Sequence, residues 1–339
     1  PPDLHLARCV IYELHIGTFT DEGTFDAAIA RLDDLCELGV TMVELMPIAA
    51  FPGTRNWGYD GAYPYAVQSS YGGPDGLRRF VDACHARGIA VILDVVYNHL
   101  GPEGTYHADF GPYFTGVYRT PWGSAINFDQ RKSDGVRDYF LHNALLWVET
   151  YRLDGLRLDA VQAIFDQTAR PFLEELTTTL HDFGRARGRS ITIIAETNRN
   201  DPRTVLPPER GGQGHDAMWV DDLHHALHAR ATGERQGYYA DYGDIDAIAQ
   251  ALRGGTVLRG QYSHYRGRRH GRGGGIDRRA AAQQRDGSDD GRHTPHRSEG
   301  VEGAFDLPVS VSKSLVAVVC RSSGVLASVR IGYVSRSLR

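Results

Sequence analysis

The chain has 339 residues, of which 41% are hydrophobic, 23% charged and 10% aromatic, as in ordinary globular proteins. Its formal net charge of -5 argues against binding nucleic acid through phosphate neutralisation, and no apolar run approaches the roughly 20 residues of a membrane span. The cysteines lie far apart without metal or disulfide spacing, and the first residues lack the pattern of a signal peptide, so we predict a cytoplasmic protein.

Up to about residue 252, short apolar runs alternate with segments whose apolar residues recur three and four positions apart. The runs predict strands at residues 10–14, 42–46, 89–93, 155–158, 191–195 and 217–220. The periodic segments predict helices at residues 25–38, 75–87, 133–150 and 168–187. This alternation indicates βαβ units and a parallel α/β sheet. Six such units fit either an open sheet or an incomplete eight-fold barrel.

Two regions depart from this rhythm. Residues 100–130 are rich in Gly, Pro and aromatic residues, and we expect an irregular excursion with a functional role there. From about residue 254 the chain becomes Arg- and Gly-rich, then polar, and it ends in a Ser- and Val-rich stretch. We therefore predict a (β/α) unit over residues 1–256 and a disordered or poorly packed tail over residues 257–339.

Acidic residues stand where three neighbouring strands are expected to end. Asp94, Asp159 and Glu196 close the third, fourth and fifth runs, and active sites of βα barrels lie at these carboxyl ends. Each acid alone could equally form a rim salt bridge or a helix N-cap. Two carboxyls about 5 to 5.5 Å apart suit a retaining glycosidase, and adjacent strands are roughly 4.8 Å apart. Asp159 and Glu196 therefore fit a retaining, covalent mechanism in which Glu196 is held protonated.

Residues beside these acids are candidates for substrate binding. Arg157 lies two positions before Asp159, hence on the same strand face, where its cation would orient the Asp159 anion or form a structural salt bridge. His99, five residues after Asp94, is either a structural hydrogen-bonding residue or a donor to a sugar hydroxyl. Tyr59 offers an aromatic face for a sugar ring, or else packs as an ordinary loop residue.

The segment DDLHHALH places His224 and His228 on one helix face with Asp221 one turn earlier, a spacing similar to that of metal ligands. No glutamate lies between the histidines as a zinc protease requires. We expect no metal and no cofactor, and we take the segment as a surface or substrate-contacting helix with Asp222 and His224 as candidate substrate contacts.

Three motifs resemble those of the α-amylase superfamily in order, spacing and strand-end position: DVVYNH at residues 94–99, GLRLDAV at 155–161 and IAE at 194–196. The resemblance implies an incomplete (β/α)8 TIM-type barrel with Asp159 as nucleophile, Glu196 as general acid/base, and Arg157, Asp94 and His99 around the attacked glucose. It covers about residues 9–272. The likeness is greatest to members that release trehalose, which implies a malto-oligosaccharide with a trehalose terminus as substrate.

The resemblance fails at the third catalytic carboxylate of the superfamily. That group should follow residues 260–272 in an Asn-His-Asp motif, and the sequence contains none. We therefore expect little or no turnover, open sheet edges on both sides of the missing strands, and a reading-frame shift near Arg272. Translation of the encoding DNA in the other two frames would test the shift, because the motif should then reappear downstream.

Other functions stay open at this point. A branching or debranching enzyme of the same superfamily would use the same acids, and a non-catalytic remnant could still bind glucan. Nucleic-acid binding by the Arg/Gly-rich tail has only charge in its favour. We expect no nucleic acid and no membrane as partners, and no feature of the sequence predicts the oligomeric state.

Overall fold

The computed structural model describes residue 2 and residues 6–273, 316–322 and 325–332. The strands are β1 (Ile11–Leu14), β2 (Met42–Leu45), β3 (Ala49–Ala50), β4 (Tyr63–Val67), β5 (Ala90–Val95), β6 (Phe114–Thr120), β7 (Gly123–Ile126), β8 (Gly155–Leu158), β9 (Thr192–Glu196), β10 (Ala217–Val220), β11 (Tyr262–Ser263), β12 (Arg268–Arg269), β13 (Val316–Ser322) and β14 (Val325–Gly332). The α-helices are α1 (Ile16–Phe19), α2 (Phe25–Ile29), α3 (Leu32–Glu37), α4 (Gly73–Ala86), α5 (His107–Phe110), α6 (Asp134–Glu149), α7 (Phe172–Ala186), α8 (Asp222–Thr232) and α9 (Ile245–Gly254).

The main sheet has the strand order β1-β2-β5-β8-β9-β10-β13-β14. Its first six strands are parallel neighbours in chain order, with α-helices in the connections up to β9 and two short 3-10 turns between β9 and β10. Parallel strands require such crossovers, because the chain must return to the start of the sheet before each new strand. The strands curl into part of a barrel. The predicted incomplete (β/α)8 barrel is therefore confirmed.

The predicted helices are found, with two differences at their ends. The helix expected over residues 25–38 is split, because Arg31 leaves helical geometry and starts α3, where its side chain binds Asp34 at 2.6 Å. The helix expected from residue 168 begins only at Phe172, because Pro171 before it has an extended backbone. Within the described residues no helix has the length and apolar character needed to cross a membrane. The cytoplasmic location stays a prediction.

The two faces of the barrel strands carry different residues, because side chains alternate along a strand. One face packs against the helices through Val43, Leu45, Val91, Leu93, Leu156, Leu158 and Ile193. The opposite face fills the barrel interior with a second apolar cluster of Cys9, Met42, Ala90, Ile92, Ile194, Ala217 and Trp219. Two residues further along these strands stand Glu44, Asp94 and Glu196, which therefore continue the interior face above an apolar floor.

The excursion after β5 is more regular than predicted. Residues 100–130 contain α5 and an antiparallel pair of strands, β6 and β7, in which Thr120 lies opposite Gly123. The turn between the two strands consists of Pro121 and Trp122. The register of the pair shifts between Thr115 and Arg119, so the alternation that identifies a strand is interrupted in the sequence.

The tail contains strands that the sequence analysis did not predict. β13 pairs antiparallel with β10, Ala317 lying opposite Val220, and β14 pairs antiparallel with β13. The expected open edge beside β10 is therefore wrong. The Val-rich runs that form these strands are separated by two residues, Ser323 and Gly324, the spacing of a hairpin.

The start of the tail is packed against the parallel sheet unit. Val257 and Leu258 are buried, and β11 and β12 form a short hairpin after them. The domain boundary at residue 257 stays a prediction. Residues 274–315, which follow the expected reading-frame shift near Arg272, lie outside the described residues.

Candidate active site

The carboxyl ends of β5, β8 and β9 bring three of the predicted acids together. Asp94 lies near the end of β5, Asp159 directly follows β8, and Glu196 ends β9. Nη1 of Arg157 donates to Asp94 Oδ1 at 2.8 Å and to Asp159 Oδ1 at 2.9 Å. Nη2 of the same guanidinium lies 3.7 Å from Glu196 Oε2. Asp159 and Glu196 therefore face one shared cation.

Burial of these groups shifts their proton affinities. It raises the pKa of Asp94 to about 7, and the Arg157 cation opposes this rise. Burial also raises the pKa of Glu196; the charge of Asp159 adds to the rise, whereas Arg157 and the N–H of Ala160 oppose it. A carboxyl with a raised pKa keeps its proton closer to neutral pH, the state that a general acid requires.

Local hydrogen bonds fix both carboxyls. Asn98 Nδ2 donates to the carbonyl oxygen of Asp159 at 2.8 Å and to its Oδ2 at 2.7 Å, so with Arg157 on Oδ1 each carboxylate oxygen has a donor. Ala160 has the left-handed conformation, with φ 40° and ψ 52°, which is uncommon for a residue with a Cβ. Its N–H donates to Glu196 Oε2 at 2.6 Å. The strained turn after Asp159 therefore links the two acids.

The structure places Tyr59 and His99 beside Asp94. The Tyr59 hydroxyl donates to Asp94 Oδ2 at 3.0 Å, and the Tyr59 carbonyl oxygen lies 2.9 Å from His99 Nε2. Burial lowers the pKa of His99. The Trp122 ring stacks on His99 with 4.8 Å between centroids and is half exposed. Trp122, at the turn of the β6–β7 hairpin, therefore extends the wall of the site towards solvent.

Asp222 does not join this group. It is buried at the start of α8, where its Oδ2 accepts from Asn200 Nδ2 at 2.9 Å and from the N–H groups of Val257 at 2.5 Å and Leu258 at 3.2 Å. Its Oδ1 accepts from the Tyr242 hydroxyl at 2.8 Å. Both oxygens are thus occupied by donors of the protein, and these contacts hold the start of the tail against α8.

His224 also lies apart from the acids, in a cluster of rings on α8. Its ring centroid is 5.4 Å from that of His225 and 6.2 Å from that of His228. His228 stacks on Tyr239 at 4.2 Å and binds Glu234 at 2.8 Å. Burial lowers the pKa of His224. In the part of the chain that the structure describes, no group of three or more His, Cys, Asp or Glu side chains could hold a metal ion.

Two further acids near the site, Glu44 and Glu13, were not among the predicted site residues, and Asp221 was considered only for its spacing from the histidines of α8. Glu44 of β2 is fully buried, with Oε1 3.9 Å from Nε of Arg157. Glu13 of β1 is its partner in the neighbouring strand. Asp221 directly follows β10, and its charge raises the pKa of Glu196. The available signal was a glutamate inside an apolar run for the first two, and for Asp221 the strand-end position that the other acids share.

Comparison with known proteins places the fold in a family. Residues 14–122 match the model of the alpha-amylase catalytic domain. A crystal structure of a Salmonella typhimurium protein named as an alpha amylase is similar with a TM-score of 0.71 and 43% sequence identity, over 78% of this chain and 45% of that one. The chain thus resembles the α-amylase superfamily of glycoside hydrolases.

Within the superfamily the chain resembles malto-oligosyltrehalose trehalohydrolase, as the motifs predicted. It is 52% identical to that enzyme from Saccharolobus solfataricus over 263 residues, which are 78% of this chain and 46% of the relative. The enzyme from Mycobacterium tuberculosis is 53% identical over 271 residues, 80% of this chain and 47% of the relative. The chain thus spans about half the length of the curated relatives it matches.

Proposed function

We propose that this chain carries the acid pair of a retaining glycoside hydrolase. Its reaction is cleavage of the α-1,4-glucosidic bond next to the terminal trehalose of malto-oligosyltrehalose, with release of trehalose. The observation that carries the proposal is the Arg157 guanidinium, which contacts Asp159 through Nη1 and lies close to Glu196 through Nη2. The choice of substrate rests on the similarity to the trehalohydrolases.

The reaction has two steps. Asp159 attacks the anomeric carbon while Glu196 gives its proton to the glycosidic oxygen, so the C–O bond breaks, trehalose leaves and a glycosyl ester forms on Asp159. The ionised Glu196 then takes a proton from water, which attacks the ester and restores Asp159. Two inversions at the same carbon return the α configuration.

The contacts of the site suit these roles. Arg157 and Asn98 hold the two oxygens of Asp159, so the nucleophile is oriented before substrate arrives. Burial keeps the pKa of Glu196 raised, which favours its protonated form. Tyr59 and His99, joined to each other and to the acid network, form the side of the site where hydroxyls of the attacked glucose would bind.

The acid pair is tested with α-maltotriosyl fluoride, because fluoride departs with little help from a general acid. Glu196→Gln should accumulate a maltotriosyl ester on the peptide that contains Asp159, detected by mass spectrometry, and Asp159→Asn should give no adduct. Glu37→Gln, an exposed substitution on α3, is the matched control and should behave as the parent chain. An adduct on another acid, or no adduct in any variant, would contradict the assignment.

The substrate is tested by product analysis on malto-oligosyltrehalose and on a malto-oligosaccharide of equal length. We expect trehalose from the first substrate, released slowly because the sequence lacks the third carboxylate, and no comparable product from the second. New α-1,6 linkages would indicate a branching enzyme instead. Saturable sugar binding that survives Asp159→Asn and Glu196→Gln, with no cleavage by the parent chain, would indicate a glucan-binding protein.

A further inference from the structure

The interior of the barrel holds more buried carboxyls than positive charge. The guanidinium of Arg157 lies within 4 Å of Glu44, Asp94, Asp159 and Glu196. Three of these carboxyls are buried and Glu196 is partly buried, so four carboxylates around one cation would leave several negative charges uncompensated at a high cost in free energy. Since no described group of acidic or histidine side chains is arranged to hold a metal ion, protons are the simplest source of the missing charge.

Glu44 has the surroundings of a carboxyl that is not ionised. Its side chain is fully buried, and within the described residues neither of its oxygens has a hydrogen-bond partner. Arg157 approaches Oε1 only to 3.9 Å through Nε, whereas its Nη1 donates to Asp94 and Asp159 at 2.8 and 2.9 Å. An ionised carboxylate without hydrogen-bond donors is among the costliest groups to bury.

Every strand packed around Glu44 adds to this effect, except the one that carries Arg157. Burial raises the pKa of Glu44 well above its ordinary value, and the charges of Glu13 on β1, Asp94 on β5 and Glu196 on β9 raise it further. The Arg157 cation on β8 acts in the opposite direction. The environment thus favours the protonated form from three sides of the barrel.

We propose that Glu44 is a neutral carboxylic acid in the folded protein. Because it is uncharged, it does not compete with Asp94 and Asp159 for the Arg157 cation. If Glu44 were ionised, it would draw the guanidinium towards the barrel floor and away from Asp159. Glu44 is therefore a positioning residue, and the role of Asp159 as nucleophile is the part of this inference that rests on the proposed function.

The pH dependence of stability tests the proposal. A carboxyl that binds its proton more tightly in the folded state makes the protein lose stability as the pH rises above the ordinary Glu value. Glu44→Gln keeps the shape and removes the titration. The variant should therefore gain stability relative to the parent, seen as a growing difference in urea midpoint between about pH 5 and 8. Glu37→Gln, on the exposed face of α3, should show no such trend.

The opposite slope would overturn the proposal, because an ionised Glu44 that pairs with Arg157 makes Glu44→Gln progressively less stable than the parent as the pH rises. Glu44→Met also removes the titration and replaces Glu44→Gln if that variant does not fold. The infrared spectrum of the parent minus that of the Glu44 variant, recorded at neutral pH, should contain the C=O stretch of a protonated carboxyl. Carboxylate bands in this difference spectrum would refute the proposal. Neither measurement uses substrate. A result that refutes the neutral state of Glu44 is therefore distinguishable from a failure to form the glycosyl ester on Asp159.

Discussion

Asp222 is a predicted substrate contact, but its carboxylate oxygens accept hydrogen bonds from Asn200 and Tyr242, so its substitution tests whether it stabilises the fold or binds substrate. Asp222→Ala removes the acceptor of the Tyr242 hydroxyl, the Asn200 amide and the backbone N–H groups of Val257 and Leu258. Hydrogen bonds to a charged group stabilise by about 1.5–3 kcal/mol each, but those sharing one carboxylate do not add. We expect a loss of about 4 kcal/mol in the free energy of unfolding.

A milder variant locates the source of that loss. Asp222→Asn keeps one oxygen for the backbone N–H groups of Val257 and Leu258, and its amide can donate to the Tyr242 hydroxyl oxygen. We expect this variant to lose only about 1–2 kcal/mol.

Urea unfolding followed by fluorescence measures both Asp222 variants. Asp138→Ala on the exposed face of α6 is the control and should change stability by less than about 0.5 kcal/mol. A loss below about 1 kcal/mol for Asp222→Ala would refute the structural role. Loss of affinity for malto-oligosaccharide without loss of stability would support the prediction of a substrate contact.

Three further predictions concern charge. Asp221→Asn removes a charge that raises the pKa of Glu196, so the alkaline limb of the rate profile for trehalose release should move to lower pH; movement to higher pH would contradict the coupling. Burial lowers the pKa of His215 to about 4. As the pH falls, His215 is therefore protonated in the unfolded chain before it is protonated in the folded protein, so the free energy of unfolding should fall between about pH 6.5 and 4. In urea titrations, His215→Gln should remove about 3 kcal/mol of this decrease in the free energy of unfolding at low pH. Asp154→Asn should cost about 2 kcal/mol, measured by the urea midpoint at pH 7, because Asp154 Oδ2 binds His85 Nε2 and a strand N–H, both at 2.8 Å; an unchanged midpoint would refute this.

The parallel strands could be predicted because their signal is local. A buried parallel strand is an apolar run, and the helix that follows repeats its apolar residues every three or four positions. Each strand–helix unit can therefore be recognised from a short stretch of sequence. The β6–β7 hairpin was not predicted because its pairing is irregular, and the strands β13 and β14 lie beyond a long polar stretch. In both cases the partner strand, rather than the local pattern, decides the structure.

The acids at strand ends could be predicted for the same reason, since Asp159 and Glu196 each stand where an apolar run stops. The surroundings of Glu44 and Asp222 could not be predicted from the sequence. Charged groups on four other strands act on the buried Glu44, and Asp222 binds N–H groups at Val257 and Leu258, some 35 residues further along the chain. Such contacts arise only once the segments are assembled, so a list of candidate residues cannot separate a catalytic acid from a structural one.

The direction of β13 limits how this rim can be extended. Since β13 runs against β10, with Ala317 opposite Val220 and Cys320 opposite Ala217, it descends from the acids to the apolar floor. The strand beside β10 therefore presents its amino end at the rim, and the next carboxyl end at this rim is that of β14, one strand further from the acids, where Gly332 lies opposite Val316. An engineer who wishes to place a further acid at the carboxyl end of the strand beside β10 should therefore exchange β13 for a parallel strand and its helix, because point substitutions within β13 leave its direction unchanged.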